Sequence, residues 1–441
     1  MRRSADRRWW LLLGAVALVG LTVRVAFVLR YENPSPLAGD ATFYHLMANV
    51  LADGHGFVDP VHHAADATHP PAYPLLLAVA SRLGFRSVLD HQLWSCLIGS
   101  AVVIVVGVTG RELVDDATGI AAAVLAAVTP AFWINDGLLM SETVVQLVLA
   151  LVVLFVYRTI RRPSVGNALV VGALCGVAAL SRGELIALLV FMLVPLAWSL
   201  FRRLGARALR FGAAMLVAFA LVLAPWIVYN LGRFERPVIV STQGGATVAG
   251  ANCPYTYEDA RFIGLWAYPC TLFNRPSPHD ARGKDQSVLD GLYLQNALDY
   301  VKGHETRAPV IAVARVGRVL GVYRPLQQLD TESHGADGRP FGPGVAALLV
   351  YYATVVAAAA GLVLFRRRGI PCWPVLTFAA LVVLTAVTTY GATRFRVGIE
   401  IAMLVPAAAA VVHLGPTVDA IRRRGRHRST RHAESRPYAR R

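Results

Sequence analysis

Apolar residues fall along this chain in long unbroken runs rather than in alternation. The cores of the runs are Leu11–Leu29, Val102–Val108, Ile120–Ile134, Val144–Tyr157, Ala168–Leu180, Leu185–Leu200, Phe211–Val228, Val345–Phe365, Val375–Thr389 and Ile399–Leu414. Extended by their flanks, most reach the roughly 20 residues that a helix needs to cross a bilayer. Continuous runs predict spanning helices, whereas a membrane barrel would show short strands of alternating polarity. Pro74–Leu83 is apolar but short, and reads as a re-entrant or interfacial segment. Phe43, Leu46, Met47, Val50 and Leu51 recur at helical spacing before Gly54. They predict one apolar face of a short helix lying in the membrane interface. The expected fold is an all-α polytopic membrane protein of about 10–11 transmembrane helices.

Charge orients these helices. Hydrophobic residues make up 56% of the chain and charged residues 16%, against about 25% charged in a soluble domain. The net charge of +16 is mostly arginine placed at the ends of runs: Arg2, Arg3, Arg7 and Arg8; Arg158, Arg161 and Arg162; Arg202, Arg203, Arg207 and Arg210; Arg366, Arg367 and Arg368; and Arg422 to Arg431 in the tail. That is the pattern of cytoplasmic ends beside anionic lipid, not of nucleic-acid binding. The first run lacks a small-residue cleavage site and reads as an uncleaved span.

Threading the chain by this rule takes ten crossings. It divides the sequence into a cytoplasmic N-terminus and first span (1–30), a first extracytoplasmic loop (31–90), spans (91–230), a second extracytoplasmic loop (231–343), C-terminal spans (344–414) and a basic cytoplasmic tail (415–441). A further short crossing would make eleven. The expected location is the plasma membrane, with the working face outside. No internal repeat is visible, which speaks against the repeated halves common in transporters.

Among the cysteines, Cys96, Cys175 and Cys372 sit in or beside spans as packing residues. Cys253 and Cys270 both fall in the second outer loop, where they either remain two thiols or pair as a disulfide. The compartment favours pairing, which would contribute roughly 3 kcal/mol by closing the intervening loop.

Several outer-face residues carry chemistry. Asp40 opens the interfacial helix and is either a helix cap or a functional carboxylate. His69 precedes Pro70 and Pro71, which hold it at the membrane surface. Asp59, His62, His63 and Asp66 are of metal-ligating type in a loop that is otherwise simply solvated. Asp136, Glu142, Arg182, Glu184, Arg394, Arg396 and Glu400 stand at the outer ends of spans, where charge is costly and marks function by default. Glu142 and Glu184 are each placed to balance Arg182, and Arg396 with Glu400 has pairing spacing. Arginine forks suit phosphate oxygens, so this group suggests a pocket for an anion at the lipid surface.

These residues resemble the C-type membrane glycosyltransferases that use polyprenyl-phosphate-linked sugars, within them the bacterial group related to protein O-mannosyltransferases and lipid A aminoarabinose transferases. The resemblance rests on Gly39-Asp40-Ala41-Thr42-Phe43-Tyr44, Asp53-Gly54-His55-Gly56-Phe57, His69-Pro70-Pro71-Ala72-Tyr73-Pro74, Ser181-Arg182-Gly183-Glu184, Ala224-Pro225-Trp226, Gly250-Ala251-Asn252 and Arg394-Phe395-Arg396. It implies Asp40 as catalytic base, His69, Arg182, Arg394 and Arg396 around the donor phosphate, and Tyr44, Glu142, Glu184 and Asn252 in support. Protein O-mannosyltransferases carry two adjacent acids where this chain has Asp40-Ala41, and often lysine where it has His69.

The resemblance implies a glycosyltransferase that moves a hexosyl or pentosyl group from a polyprenyl phosphate to a lipid, glycan or protein acceptor, with inversion. It implies no certain cofactor; metal dependence stays undetermined. A polyprenyl phosphate leaves as a stabilised anion, so one base suffices where a glycosidase needs two carboxylates. The rivals are a transporter or flippase of a lipid-linked saccharide and a non-catalytic membrane subunit. The gathering of ionisable residues toward one face favours the enzyme over the transporter.

Overall fold

A computed structural model describes residues 2–31, 39–335 and 338–413, and the basic tail from 415 onward lies outside the described residues. Among the described residues the chain is helical, with two isolated β-bridges in place of a sheet.

The apolar runs become helices whose ends carry the expected signals. α1 spans Arg2–Arg30. α2 (Gly39–Ala52) and α3 (Ala72–Arg82) follow in the first long loop. α4 (Val88–Leu113) starts at Ser87, whose hydroxyl caps Asp90 N–H while the Asp90 side chain returns to the Ser87 backbone. α5 (Asp116–Val128) is capped by Asp115 and meets α6 (Pro130–Gly137) at a 48° bend. α7 (Glu142–Arg161) and α8 (Val165–Ser181) come next. The apolar stretch Gly183–Asn230 has 48 residues. As one straight helix it would run about 72 Å, over twice the hydrocarbon thickness. It turns instead at Gly205, φ +59°, between α9 (Val194–Leu204) and α10 (Leu209–Asn230).

Six helices are long and apolar enough to span, and the bent α5–α6 pair makes a seventh. Dividing Gly183–Asn230 in two and adding the shorter apolar α8 and Trp373–Thr388 gives ten crossings among the described residues. α3, at 11 residues, is too short and packs on α2 and α4.

Span contacts rely on small residues. A Cβ on Gly172 of α8 would lie 2.1 Å from the Met215 carbonyl oxygen of α10, so only glycine permits this crossing. Within the bundle Arg24 of α1 donates to Asp136 of α6 at 2.7 Å, both fully buried, and Thr143 also donates to Asp136. This corrects the grouping of Asp136 with the outer charges: it is committed to Arg24.

The second long loop carries four short helices, α11 (Gly244–Ala249), α12 (Pro254–Tyr257), α13 (Tyr268–Phe273) and α14 (Pro278–Ala281), and three longer ones, α15 (Gln286–Lys302), α16 (Ala308–Val319) and α17 (Pro325–His334). A Cys253–Cys270 disulfide joins the segments around α12 and α13. The two long loops touch each other. Thr242 N–H donates to the Ala67 carbonyl at 2.8 Å, Arg233 donates to the Phe57 carbonyl, and Phe57 packs edge-on to Trp226. They therefore lie at the same end of the bundle. α18 (Phe341–Arg367), α19 (Trp373–Thr388) and a last span, Thr393–His413, complete the chain.

Candidate active site

α2 and the start of the last span bring Asp40 and Arg394 together. Asp40 is the second residue of α2, and its Oδ2 accepts from Arg394 Nη2 at 3.0 Å. The carboxylate thus reaches across the fold to a guanidinium and is more than a local helix cap. Arg394 also donates through Nε to Glu142 Oε1 at 2.6 Å. The same Glu142 oxygen accepts from Arg182, whose Nε donates to Glu184 at 2.5 Å. Glu142 is fully buried, and Arg182 and Arg394 are about one-tenth exposed. The result is a chain of alternating charge, Asp40–Arg394–Glu142–Arg182–Glu184, in which each guanidinium lies between two carboxylates.

Local structure explains the placement. Arg182 ends α8 in extended backbone. Glu142 opens α7 after a tight connection in which Leu139, wholly buried, has φ +53°. A bulky residue there costs on the order of 1–3 kcal/mol, strain that the surrounding packing must hold. Arg394 and Arg396 lie in a 3₁₀ turn, Thr393–Arg396. Residues two apart in such a turn diverge by about 120° around its axis. Phe395, between them, lies under the Arg182 guanidinium at 5.1 Å.

His69 stands on the other side of Asp40. Its Nε2 is 3.6 Å from Asp40 Oδ1, and its Nδ1 faces the Tyr44 hydroxyl at 3.4 Å. Phe43 and Tyr44 pack on the imidazole, and Tyr73 packs edge-on to Tyr44. Burial raises the Asp40 carboxyl, but His69, Arg394 and Arg182 outweigh it and hold it at about 2. Burial pushes His69 below the ordinary imidazole value, partly opposed by Asp40. Burial, followed by the Asp40 charge, pushes the Tyr44 hydroxyl up, keeping it protonated.

Two residues expected here lie elsewhere. Arg396 pairs with Glu400 at 3.3 Å and packs over Tyr351, away from the Asp40 carboxylate. Treating it as a twin of Arg394 overlooked the divergence within the turn. Asn252 is buried in the second long loop, accepting from the Tyr257 hydroxyl and Arg315. It braces that loop.

In the acid and histidine loop the carboxylates serve local turns. Asp59 accepts from the Val61 and His62 backbone in a turn, and Asp66 from Thr68 N–H. Among the described residues no three His, Cys, Asp or Glu side chains gather to hold a cation. Beside Asp40 a guanidinium already takes one carboxylate oxygen.

Two clefts open on either side of Arg394. One joins Arg182, Glu184 and Arg394 to an apolar wall of Val145, Leu149, Phe378, Leu381 and Val382. The other is lined by polar and charged groups from α6, α17 and the last span. Sequence reasoning missed Asn135, Arg339 and Glu332 in the second cleft. All three lie outside the quoted motifs, and only the fold brings them together.

Residues 68–229 match the family described as dolichyl-phosphate-mannose-protein mannosyltransferase. None of the curated proteins matches the chain in sequence. Among solved structures, the oligosaccharyltransferase AglB of Archaeoglobus fulgidus, in complex with an inhibitory peptide and a dolichol-phosphate, superposes with a TM-score of 0.57 at 16% identity, covering 99% of this chain and 53% of that one. An A. fulgidus oligosaccharyltransferase in complex with zinc and sulfate gives 0.53 at 14% identity, over 92% of this chain and 49% of that one. ArnT from Cupriavidus metallidurans bound to undecaprenyl phosphate gives 0.41 at 18% identity, over 91% and 78%. The chain spans about half the length of the oligosaccharyltransferase structures. Its fold is that of the C-type membrane glycosyltransferases, as the sequence resemblance implied.

Proposed function

We propose that the protein is a glycosyltransferase that moves a sugar from a polyprenyl-phosphate donor to an acceptor on the extracytoplasmic face. The observation that carries this reading is the position of Arg394. It hydrogen-bonds a partly exposed carboxylate, Asp40, and lines a cleft that joins two guanidiniums to an apolar wall. A polyprenyl phosphate has those two parts, an anionic head and a hydrocarbon tail that stays in the bilayer. The head meets Arg182 and Arg394, and the tail lies against Leu149, Phe378, Leu381 and Val382. The match of residues 68–229 to a dolichyl-phosphate-dependent family and the dolichol-phosphate held by AglB agree with such a donor.

The chemistry follows from the charge chain. The acceptor hydroxyl oxygen attacks the anomeric carbon opposite the phosphate, and its proton passes to Asp40. The new C–O bond forms as the bond from carbon to phosphate oxygen breaks, and its electron pair leaves on the polyprenyl phosphate. The anomeric centre inverts. The leaving group gains negative charge as Asp40 loses it, so the Arg394 interaction shifts from carboxylate to phosphate. A carboxylate at about 2 is a poor base. Drawing Arg394 toward the leaving group raises Asp40 when it must take the proton. His69 and Tyr44 position the carboxylate from its other side.

The outer face is favoured by the arginines. Arg158, Arg202, Arg203, Arg366 and Arg367 lie at the helix ends remote from the two joined loops, the pattern of cytoplasmic termini. The testing experiment is sugar transfer in proteoliposomes with a panel of polyprenyl-phosphate sugars. Turnover of at least one donor with release of polyprenyl phosphate is expected, and no transfer from any donor to a mixed glycan, lipid and peptide acceptor pool contradicts the reading.

A further inference from the structure

α16 is built inside out. Arg315 and Arg318, one turn apart, share its inward face and are 5% and 0% exposed. Val310 and Val313, also one turn apart, share its outward face and are 55% and 73% exposed. Pro309 beside them is exposed as well. A helix on a water-facing surface shows the reverse, with charge outward and apolar side chains against the core.

Bonding fixes the reversal. Arg315 donates to the Ala251 carbonyl and to Asn252, at 2.7 and 2.9 Å. Arg318 donates to the Arg261 carbonyl at 3.0 Å and to Gln328 at 3.1 Å. Two glycines let the backbone of α16 seat closely: a Cβ on Gly264 would lie 3.0 Å from Arg315 N, and one on Gly391 would lie 2.5 Å from the Arg315 carbonyl oxygen. Rolling the helix to bring its arginines to water would break these hydrogen bonds and strand buried carbonyls. The valines are therefore held outward by the rest of the loop.

Depth identifies what they meet. Arg315 also donates to the Val387 carbonyl, near the end of α19, at 3.1 Å. Just past α16, the Gly321 carbonyl accepts from the Tyr352 hydroxyl of α18. At about 1.5 Å per residue, Val387 lies about 21 Å along α19 from Trp373, and Tyr352 about 21 Å along α18 from Arg366. Two spans thus place α16 at one depth, inside a hydrocarbon layer roughly 30 Å thick that begins at the basic end. Leu384 and Val387 of α19 and Leu349 of α18 are exposed near this level, on faces that spans turn to lipid. On the other side of α16, Val319 packs with Val382 and Phe395, which line the cleft of Arg182 and Arg394. We infer that α16 is an in-plane membrane anchor, its Pro309, Val310 and Val313 face set among the acyl chains of the leaflet nearest the long loops. A helix of this kind binds lipid through its buried apolar area. Here it also backs the wall of the cleft against which the proposed donor's tail lies.

The test uses the full-length protein with Cys372→Ser, carrying Val310→Cys or Val313→Cys labelled with an environment-sensitive fluorophore. The protein is reconstituted in vesicles of phosphatidylcholine and phosphatidylglycerol, with and without doxyl-labelled acyl chains. Leu349→Cys, on the exposed face of α18, is the lipid control. Val61→Cys is the water control: it is as exposed as Val313, at 73%, but follows Asp59 in a polar turn. Both α16 positions are expected to show blue-shifted emission, quenching by the doxyl chains to the extent seen at Leu349→Cys, and protection from iodide. Either position reports alone if the other variant fails to fold. Quenching by iodide without quenching by doxyl, as at Val61→Cys, overturns the inference and leaves α16 facing water. Protection from both quenchers overturns it as well, because protein would then cover the face, a second copy of this chain included. No sugar donor enters the measurement, so its outcome is independent of the transferase reading.

Discussion

Arg394 and Asp40 are 354 residues apart in sequence and 3.0 Å apart in the fold, guanidinium nitrogen to carboxylate oxygen. The contact joins α2, which follows the first span, to the turn that opens the last one. With His69 and Arg182, it holds the proposed base ionised.

That charge state is open to titration. The folded value of about 2 for Asp40 lies below its ordinary 3.8. Its ionisation therefore stabilises the fold fully above the ordinary value, and the contribution is lost as pH falls through about 2. The kcat/KM profile of the wild-type enzyme should show no Asp40 limb between about pH 4 and 8. Arg394→Ala removes one of the cations holding Asp40 down and should bring an acid limb up into the measurable range. A wild-type carboxylate limb near pH 6 would contradict the assignment.

Glu142 lies between Arg182 and Arg394 with no exposure. Glu142→Gln keeps the volume and removes the charge that two buried guanidiniums share. Breaking a buried pair in this way costs about 3–5 kcal/mol. Thermal unfolding in detergent should show a clear loss of stability, and an unchanged midpoint would mean that the charge chain does not form.

A second substitution tests the bundle itself. A Cβ on Gly99 would lie 2.0 Å from Asp136 Oδ2. Gly99→Ala must therefore disturb the buried Arg24–Asp136 pair, at a cost of roughly 3 kcal/mol or more. Gly14, with nothing within 4 Å of its Cβ position, is the control. Gel filtration of the two variants should separate them, Gly99→Ala aggregating and Gly14→Ala eluting as wild type.

The side of the membrane is settled by labelling. Val61, Glu305 and Arg367 are exposed. Cys96 and Cys175 are buried, and Cys372 is replaced by serine to leave a quiet background. An impermeant maleimide applied to intact cells should label Val61→Cys and Glu305→Cys and miss Arg367→Cys. The opposite pattern would put the site on the cytoplasmic face.

Much of this molecule was legible before any coordinates. Span placement follows from burial energy, which is local and additive along an apolar run, so Leu11–Leu29 and Val345–Phe365 fall within α1 and α18. The brevity of Pro74–Leu83 likewise set α3 apart from the spans. Spacing also paired Arg396 with Glu400, because i and i+4 meet on a helix. What sequence could not give was direction within a turn and partnership across the fold. Arg394 and Arg396 look equivalent in the chain, yet the 3₁₀ turn sends one to Asp40 and the other to Tyr351. Asp136 looked like an outer charge, because nothing local says that Arg24 lies opposite it. Asn252 stood in a quoted motif but is used by Tyr257 and Arg315 to brace the second long loop.

The most direct test of the central claim is turnover of Asp40→Asn in proteoliposomes with a donor that the wild type uses. Asparagine keeps the size and the ability to accept from Arg394 but cannot take the acceptor proton. The variant should elute as wild type on gel filtration and still bind the donor, while transfer falls by roughly 10²–10⁴-fold, the range for loss of acid–base catalysis. A well-folded Asp40→Asn protein that transfers sugar at the wild-type rate would show that Asp40 is not the base, and the proposed mechanism would fail.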